Sequence, residues 1–100
     1  MMERKLIFQR LVQRDMSEIL RYYQDEAGEV VADRFYQTFL QVVDRALENP
    51  EHFHPVSDFL RRAPIPGFPY HFLYRKITHG IRILVLRHDQ RRPSFGLGRK

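Results

Sequence analysis

One hundred residues with no cysteine, no tryptophan and a formal charge of +5 describe one small domain, which buries roughly two-thirds of its unfolded surface. A multidomain enzyme, a disulfide framework and a thiolate zinc site are excluded. The opening residues mix charge with hydrophobe (Glu3, Arg4, Lys5, Leu6, Ile7) and no apolar run reaches membrane-spanning length, so neither secretion nor membrane insertion is expected and the cytosol is the expected compartment.

Residues 4–12 (RKLIFQRLV), centred on Ile7 and Phe8, read as a strand. Asp15 precedes Glu18 by three, the spacing of a capping box, and predicts a helix start. Met16, Ile19, Leu20 and Tyr23 then fall at i, i+3, i+4 and i+7, so one stripe faces a core while Arg21, Gln24 and Asp25 face water. Gly28 is the expected stop. Val31, Phe35, Phe39, Val42 and Ala46 carry a second, longer helical period that Asn49 and Pro50 end. So short a link makes the two helices an antiparallel hairpin.

Residues 50–57 (PEHFHPVS) read as a loop with two prolines and no period. Residues 59–63 (FLRRA) suggest a short strand, stopped by a turn at Pro64, Pro66 and Gly67. From Phe68 to Arg75 the aromatic residues alternate with others, the two-residue period of a strand with an aromatic face. That stripe is more in keeping with a core face under the helices than with a base-stacking platform. Thr78, His79 and Gly80 form a tight hairpin connection, and residues 81–88 (IRILVLRH) have the continuous apolar centre of an interior strand covered on both faces. The order βααβββ, two N-terminal antiparallel helices on a small, mainly antiparallel sheet, is α+β. The domain is expected over residues 1–93, with 94–100 an irregular or frayed tail.

Charge is unevenly placed. Residues 1–50 hold seven Lys and Arg against nine Asp and Glu, whereas residues 51–100 hold ten against three and all five histidines. A net −2 half and a net +7 half imply a basic surface built by the strands, suited to nucleic acid or an acidic partner. Arg61, Arg62, Arg82, Arg87, Arg91 and Arg92 are its candidate binding residues, while Arg75 and Lys76 are read as a solvated pair. Neighbours in a strand point to opposite faces, so Arg61 and Arg62 cannot both serve one site unless one lies beyond the strand end. His88, at the end of the interior strand, is of the residue type most often used as a general acid or base, and equally suits a strand-end hydrogen bond. Glu51, His52 and His54 lack a further ligand at a recognised metal spacing. No phosphate-binding or nucleotide-binding glycine pattern and no hydrolase motif occurs. Neither a metal nor a cofactor is expected.

The segments ILRYYQDE, LRRAPIPGFPYHFLYRKI and IRILVLRHDQRRP, in this order, resemble the RelE/ParE superfamily of type II toxin–antitoxin toxins. The pattern of an arginine strand, G-F-P-Y, an aromatic strand and an apolar strand ending in H-x-x-R-x-P covers residues 59–93. The resemblance implies growth inhibition, plasmid stabilisation and a cognate antitoxin whose acidic C-terminal segment wraps the toxin, in keeping with the basic second half. Its RelE-like branch cleaves ribosome-bound mRNA, a role for which Arg62, Arg82 and His88 would be the catalytic candidates here. Its ParE-like branch poisons DNA gyrase without that catalytic set. The tail after His88 has no tyrosine to act as acid or base, which places gyrase first, with the endoribonuclease and a non-toxic basic interaction domain as alternatives. A toxin–antitoxin hetero-oligomer would follow from either toxin reading.

Overall fold

The computed structural model describes residues 3–100. Two helices lie on one face of a five-stranded sheet: β1 (Lys5–Phe8), α1 (Val12–Ala27), α2 (Glu29–Glu48), β2 (His54–Pro55), β3 (Arg61–Pro64), β4 (Tyr70–Ile77) and β5 (Gly80–His88). The spatial order is β1-β5-β4-β3-β2. All neighbours are antiparallel except β1 and β5, because the helical hairpin carries the chain back over the sheet between them.

The first strand is shorter than its apolar run suggests. Gln9 turns the chain at its end: its backbone carbonyl accepts from Val12 N–H and its side-chain oxygen accepts from Leu11 N–H at 2.6 Å. The helix therefore starts at Val12, three residues ahead of Asp15, and the capping-box reading of Asp15 and Glu18 is corrected. Asp15 lies inside the first turn and is buried. Gly28 alone separates the helices, at φ +91°, a backbone conformation that glycine adopts without strain.

Two other boundaries move. His54 and Pro55 fall within the expected loop yet pair with Arg62 and Arg61 as an edge strand, where proline is tolerated because no neighbour needs its missing N–H. Phe59 and Leu60 belong to the connection between β2 and β3, not to the strand.

The core forms where the helical stripe meets the aromatic stripe. Val12, Met16, Ile19, Phe35, Phe39, Val42, Val43 and Ala46 pack on Ala63, Ile65, Phe72, Tyr74, Ile81, Ile83 and Leu86. Phe35 stands edge-on to Phe68 and Tyr70, with ring centres 5.1 and 5.3 Å apart. Each such large side chain contributes about 1.5–3 kcal/mol by leaving water. The buried hydroxyl of Tyr74 is satisfied by donating to the Pro50 carbonyl at 2.8 Å. No helix among the described residues is long and apolar enough to cross a membrane.

Candidate functional site: the outer face of the sheet

One irregularity decides what the outer face presents. Leu73 pairs with Val85 but Tyr74 pairs with Ile83, so Leu84 is an extra residue in β5, a β-bulge that shifts the alternation of side chains beyond it. Ile81, Ile83, Leu86 and His88 consequently face the helices, while Arg82, Val85 and Arg87 face outward. Arg82 and His88 would share a face in a regular strand. Here they do not.

Three of the candidates drawn from the sequence, Arg62, Arg82 and His88, are therefore not brought together. His88 packs edge-on against Tyr70 with ring centres 5.1 Å apart, its Nδ1 accepts from Gln90 N–H at 3.0 Å, and it borders a hollow with Glu18, Tyr22 and Arg91 on the helix side. Arg62 and Arg82 lie on the other face, opposite Leu73 and Arg75 respectively.

The outer face has a buried centre that nothing in the local sequence marks. His71, with a side chain only 3% exposed, is held at both ring nitrogens. Arg87 Nε donates to its Nε2 at 3.0 Å, which assigns the ring proton to Nδ1, and Nδ1–H donates to Asp89 Oδ1 at 2.8 Å. Arg62 Nη2 donates to that same oxygen at 3.1 Å. Burial pushes the His71 pKa down, and the Asp89 hydrogen bond opposes this only in part. The ring is thus neutral, and it needs to be, because a protonated Nε2 would meet the Arg87 guanidinium.

His71 gives a pH test. Its folded pKa lies below the unfolded value, so its neutral form stabilises the fold above the unfolded pKa of about 6.5, and that stability drains away as pH falls below it. Denaturation midpoints should decline from pH 7.5 to 5.5. In His71→Asn, whose amide can still donate to Asp89 but does not titrate, the decline should be markedly shallower; equal slopes would refute the assignment.

The remaining arginines divide by partner. Arg61 Nη1 donates to the carbonyls of Phe53 and Glu51 at 2.7 and 3.2 Å and so braces the loop before β2. Arg87 Nη1 donates to the Pro93 and Phe95 carbonyls, both at 2.8 Å. Arg91 stacks over Phe95, 4.4 Å from its centre, and Arg92 is exposed. Arg75 and Arg82 are different: they are direct cross-strand partners on the outer face, and among the described residues neither side chain has a hydrogen-bond acceptor or an ion-pair partner. Arg82 Nε is buried in that state.

The C-terminal residues run in turns that pack against β5. Gly96, at φ +84°, lies so close over Val85 that a Cβ there would meet its side chain at 2.6 Å. Arg99, 7% exposed, grips Asp15, 6% exposed, through two bonds of 2.6 and 2.9 Å. This pair also closes the edge of β5 that β1 leaves open past Ile83: Asp15 Oδ2 accepts from Leu86 N–H at 3.1 Å and Arg99 Nη1 donates to the Leu84 carbonyl at 3.3 Å. Two side chains extend the ladder where the partner strand has ended. Glu51 pairs with Lys76, and among the described residues no three His, Asp or Glu side chains gather as a metal site.

A second surface lies on the helix side at the edge of β1. Leu6, Phe8, Tyr36 and Leu40 line an apolar groove of about 550 Å³ floored by Val12, Met16 and Phe39. Leu6, Phe8 and Tyr36 remain 37–44% exposed.

Among solved structures the chain is similar to a Pseudomonas aeruginosa protein described as the chromosomal ParDE TA system, with a TM-score of 0.73 and 18% identity over 85% of this chain and 95% of that one. The likeness is one of fold. No curated protein matches the sequence. The sequence pattern of the ParE toxins of type II toxin–antitoxin systems, parDE, matches residues 6–93. That match takes in both helices, all of the sheet but the first residue of β1, and the His71 cluster: the chain belongs to the ParE toxin family.

Proposed function

We propose that this protein arrests growth by inhibiting DNA gyrase, without cleaving RNA, and that a cognate antitoxin neutralises it. The observation that carries the non-nucleolytic part is the bulge at Leu84, which puts His88 on the opposite face from Arg62 and Arg82. General acid–base cleavage of a phosphodiester needs a proton-transfer group within hydrogen-bonding reach of the reacting atoms. Neither histidine of the sheet supplies one beside Arg75 and Arg82: His88 is on the other face and His71 is engaged at both nitrogens. Family membership supports the toxin role and, through it, gyrase as the target. The cytosol, where gyrase works, is the compartment this requires.

Two parallel assays test it. Purified protein in micromolar excess should block supercoiling of relaxed plasmid by gyrase, and cellular mRNA should remain intact during induced growth arrest. Untouched gyrase would defeat the proposal, and mRNA cuts that vanish in His88→Ala would favour the endoribonuclease instead.

For the antitoxin, the apolar groove at β1 supplies a seat. A two-component system needs a surface that the antitoxin covers, and an amphipathic segment can bury its apolar face against Leu6, Phe8, Tyr36 and Leu40. Arg10 on the rim, with Arg4 and Lys5 nearby in the chain, suits an acidic segment. Tyr36→Asp places a charge in the groove at a position that is 40% exposed. It should weaken antitoxin binding by about tenfold or more, equivalent to about 1.4 kcal/mol, with the melting temperature little changed. Unaltered affinity in a titration would place the antitoxin elsewhere.

A further inference from the structure

We infer that Arg75 and Arg82 form a phosphate-binding pair through which the outer face of the sheet contacts the backbone of duplex DNA. The two residues are cross-strand partners in the antiparallel β4–β5 ladder, where opposed residues have Cα atoms only about 4.5–5.5 Å apart. Like charges in that position destabilise a sheet. Other cations of the fold have a carboxylate beside them: Asp89 serves Arg62, Glu51 serves Lys76 and Asp15 serves Arg99. Arg75 and Arg82 receive none. Asp58 borders the same hollow as Arg75 but makes no ion pair with it. The buried Nε of Arg82 has no partner and is out of reach of an external acceptor, so the donors on offer to a phosphate are the Nη groups of the pair. An oxyanion set between the two guanidinium groups would satisfy both, and the fork of N–H donors on arginine matches phosphate.

The face also indicates which polyanion fits. Single-stranded nucleic acid is held chiefly by stacking its bases on aromatic side chains. In this sheet Phe8, Tyr70, Phe72 and Tyr74 share the helix-facing side with Ile83 and Leu86, and among the described residues no aromatic ring of a strand but the buried His71 lies on the outer side. An acidic peptide would need pockets for its side chains, yet Leu73 and Val85, the apolar residues beside the pair on this face, are already buried. What remains is an exposed Arg75, a half-buried Arg82 and, nearer the His71 cluster, Arg62. That arrangement reads backbone charge and no base sequence, as expected for electrostatic contact with duplex DNA. The inference stands apart from the gyrase proposal, and either can fail alone.

The test is fluorescence anisotropy of a labelled 20-base-pair duplex of arbitrary sequence, titrated with the full chain over a series of salt concentrations. The parent should bind at low salt, with log K falling linearly against log salt. Arg75→Gln combined with Arg82→Gln should weaken binding by about tenfold or more and reduce the slope by about one to two, roughly one for each phosphate no longer neutralised. Arg21→Gln, an exposed charge on α1 that lowers net charge without touching the sheet, should leave the slope unchanged. Because removing opposed charges relieves the ladder, the double variant should melt at or above the temperature of the parent, so weakened binding cannot be attributed to unfolding. No duplex binding at low salt, an unchanged slope in the double variant, or tighter binding of a single-stranded RNA or a polyglutamate of equal charge would each overturn the inference.

Discussion

Asp15→Ala should destabilise the fold by about 3–5 kcal/mol, the usual consequence of removing one member of a buried ion pair. The loss has two parts. Arg99, 7% exposed, would be left as a buried charge without its counterion, and Leu86 N–H would lose the acceptor that replaces a strand neighbour. The tail would then release, uncovering Val85 beneath Gly96 and withdrawing the Phe95 carbonyl from Arg87. Chemical denaturation measures the effect, and a loss below about 1 kcal/mol would mean that the pair does not hold the tail. A companion variant separates charge from packing. Buried ion pairs replaced as a unit by apolar residues are often neutral, so Asp15→Leu with Arg99→Met should recover most of the loss, short of about 1 kcal/mol for the orphaned Leu86 N–H.

The second large effect is expected at Gly80. Its backbone is not in a glycine-only conformation, so the requirement is for space alone: a Cβ there would overlap the Lys5 carbonyl oxygen and come within 2.6 Å of the Lys5 carbonyl carbon. Those atoms are backbone and cannot rotate away. Gly80→Ala should therefore push β1 off β5, costing about 1–3 kcal/mol by the measure of overpacked cores. It would also displace Leu6 and Phe8 from the apolar groove. The informative result is a joint loss, in which the melting temperature falls and antitoxin affinity falls with it; a stable protein that still binds antitoxin normally would show that the strand pairing tolerates the methyl group.

Most of the architecture could be read from periodicity, because the two helical stripes and the aromatic alternation from Phe68 to Tyr74 are the very residues that meet in the core. The misreadings share a cause: each depended on a partner far away in sequence. Asp15 and Glu18 have the spacing of a capping box, but the partner of Asp15 is Arg99, 84 residues on. His71 drew no attention because its partner Asp89 comes 18 residues later and nothing local marks either. The strand at His54 and Pro55 is two residues long, too short to establish any alternation. Arg75 and Lys76 are both exposed, in keeping with a solvated pair, and only the register shows that Arg75 stands opposite Arg82.

The bulge at Leu84 was the least legible feature, since an extra leucine in an apolar run leaves no trace in composition or period. It also bears on how such a protein could change its trade over generations. Substitution at His88 or Arg87 alters which group is displayed, but not on which side. Losing the single codon for Leu84 would leave the sides as they are, because the regular strand that results alternates through Ile83, Val85, Leu86, Arg87 and His88 as the bulged one does; keeping Leu84 but flattening the bulge would exchange them, bringing an imidazole to the face of Arg62 and Arg82 and driving the guanidinium of Arg87 toward the helix layer, where a buried charge is strongly disfavoured. The route between the two presentations of this sheet therefore runs through the pairing of β5 on β4, and the buried charge acts as a ratchet that holds a lineage on the side it occupies.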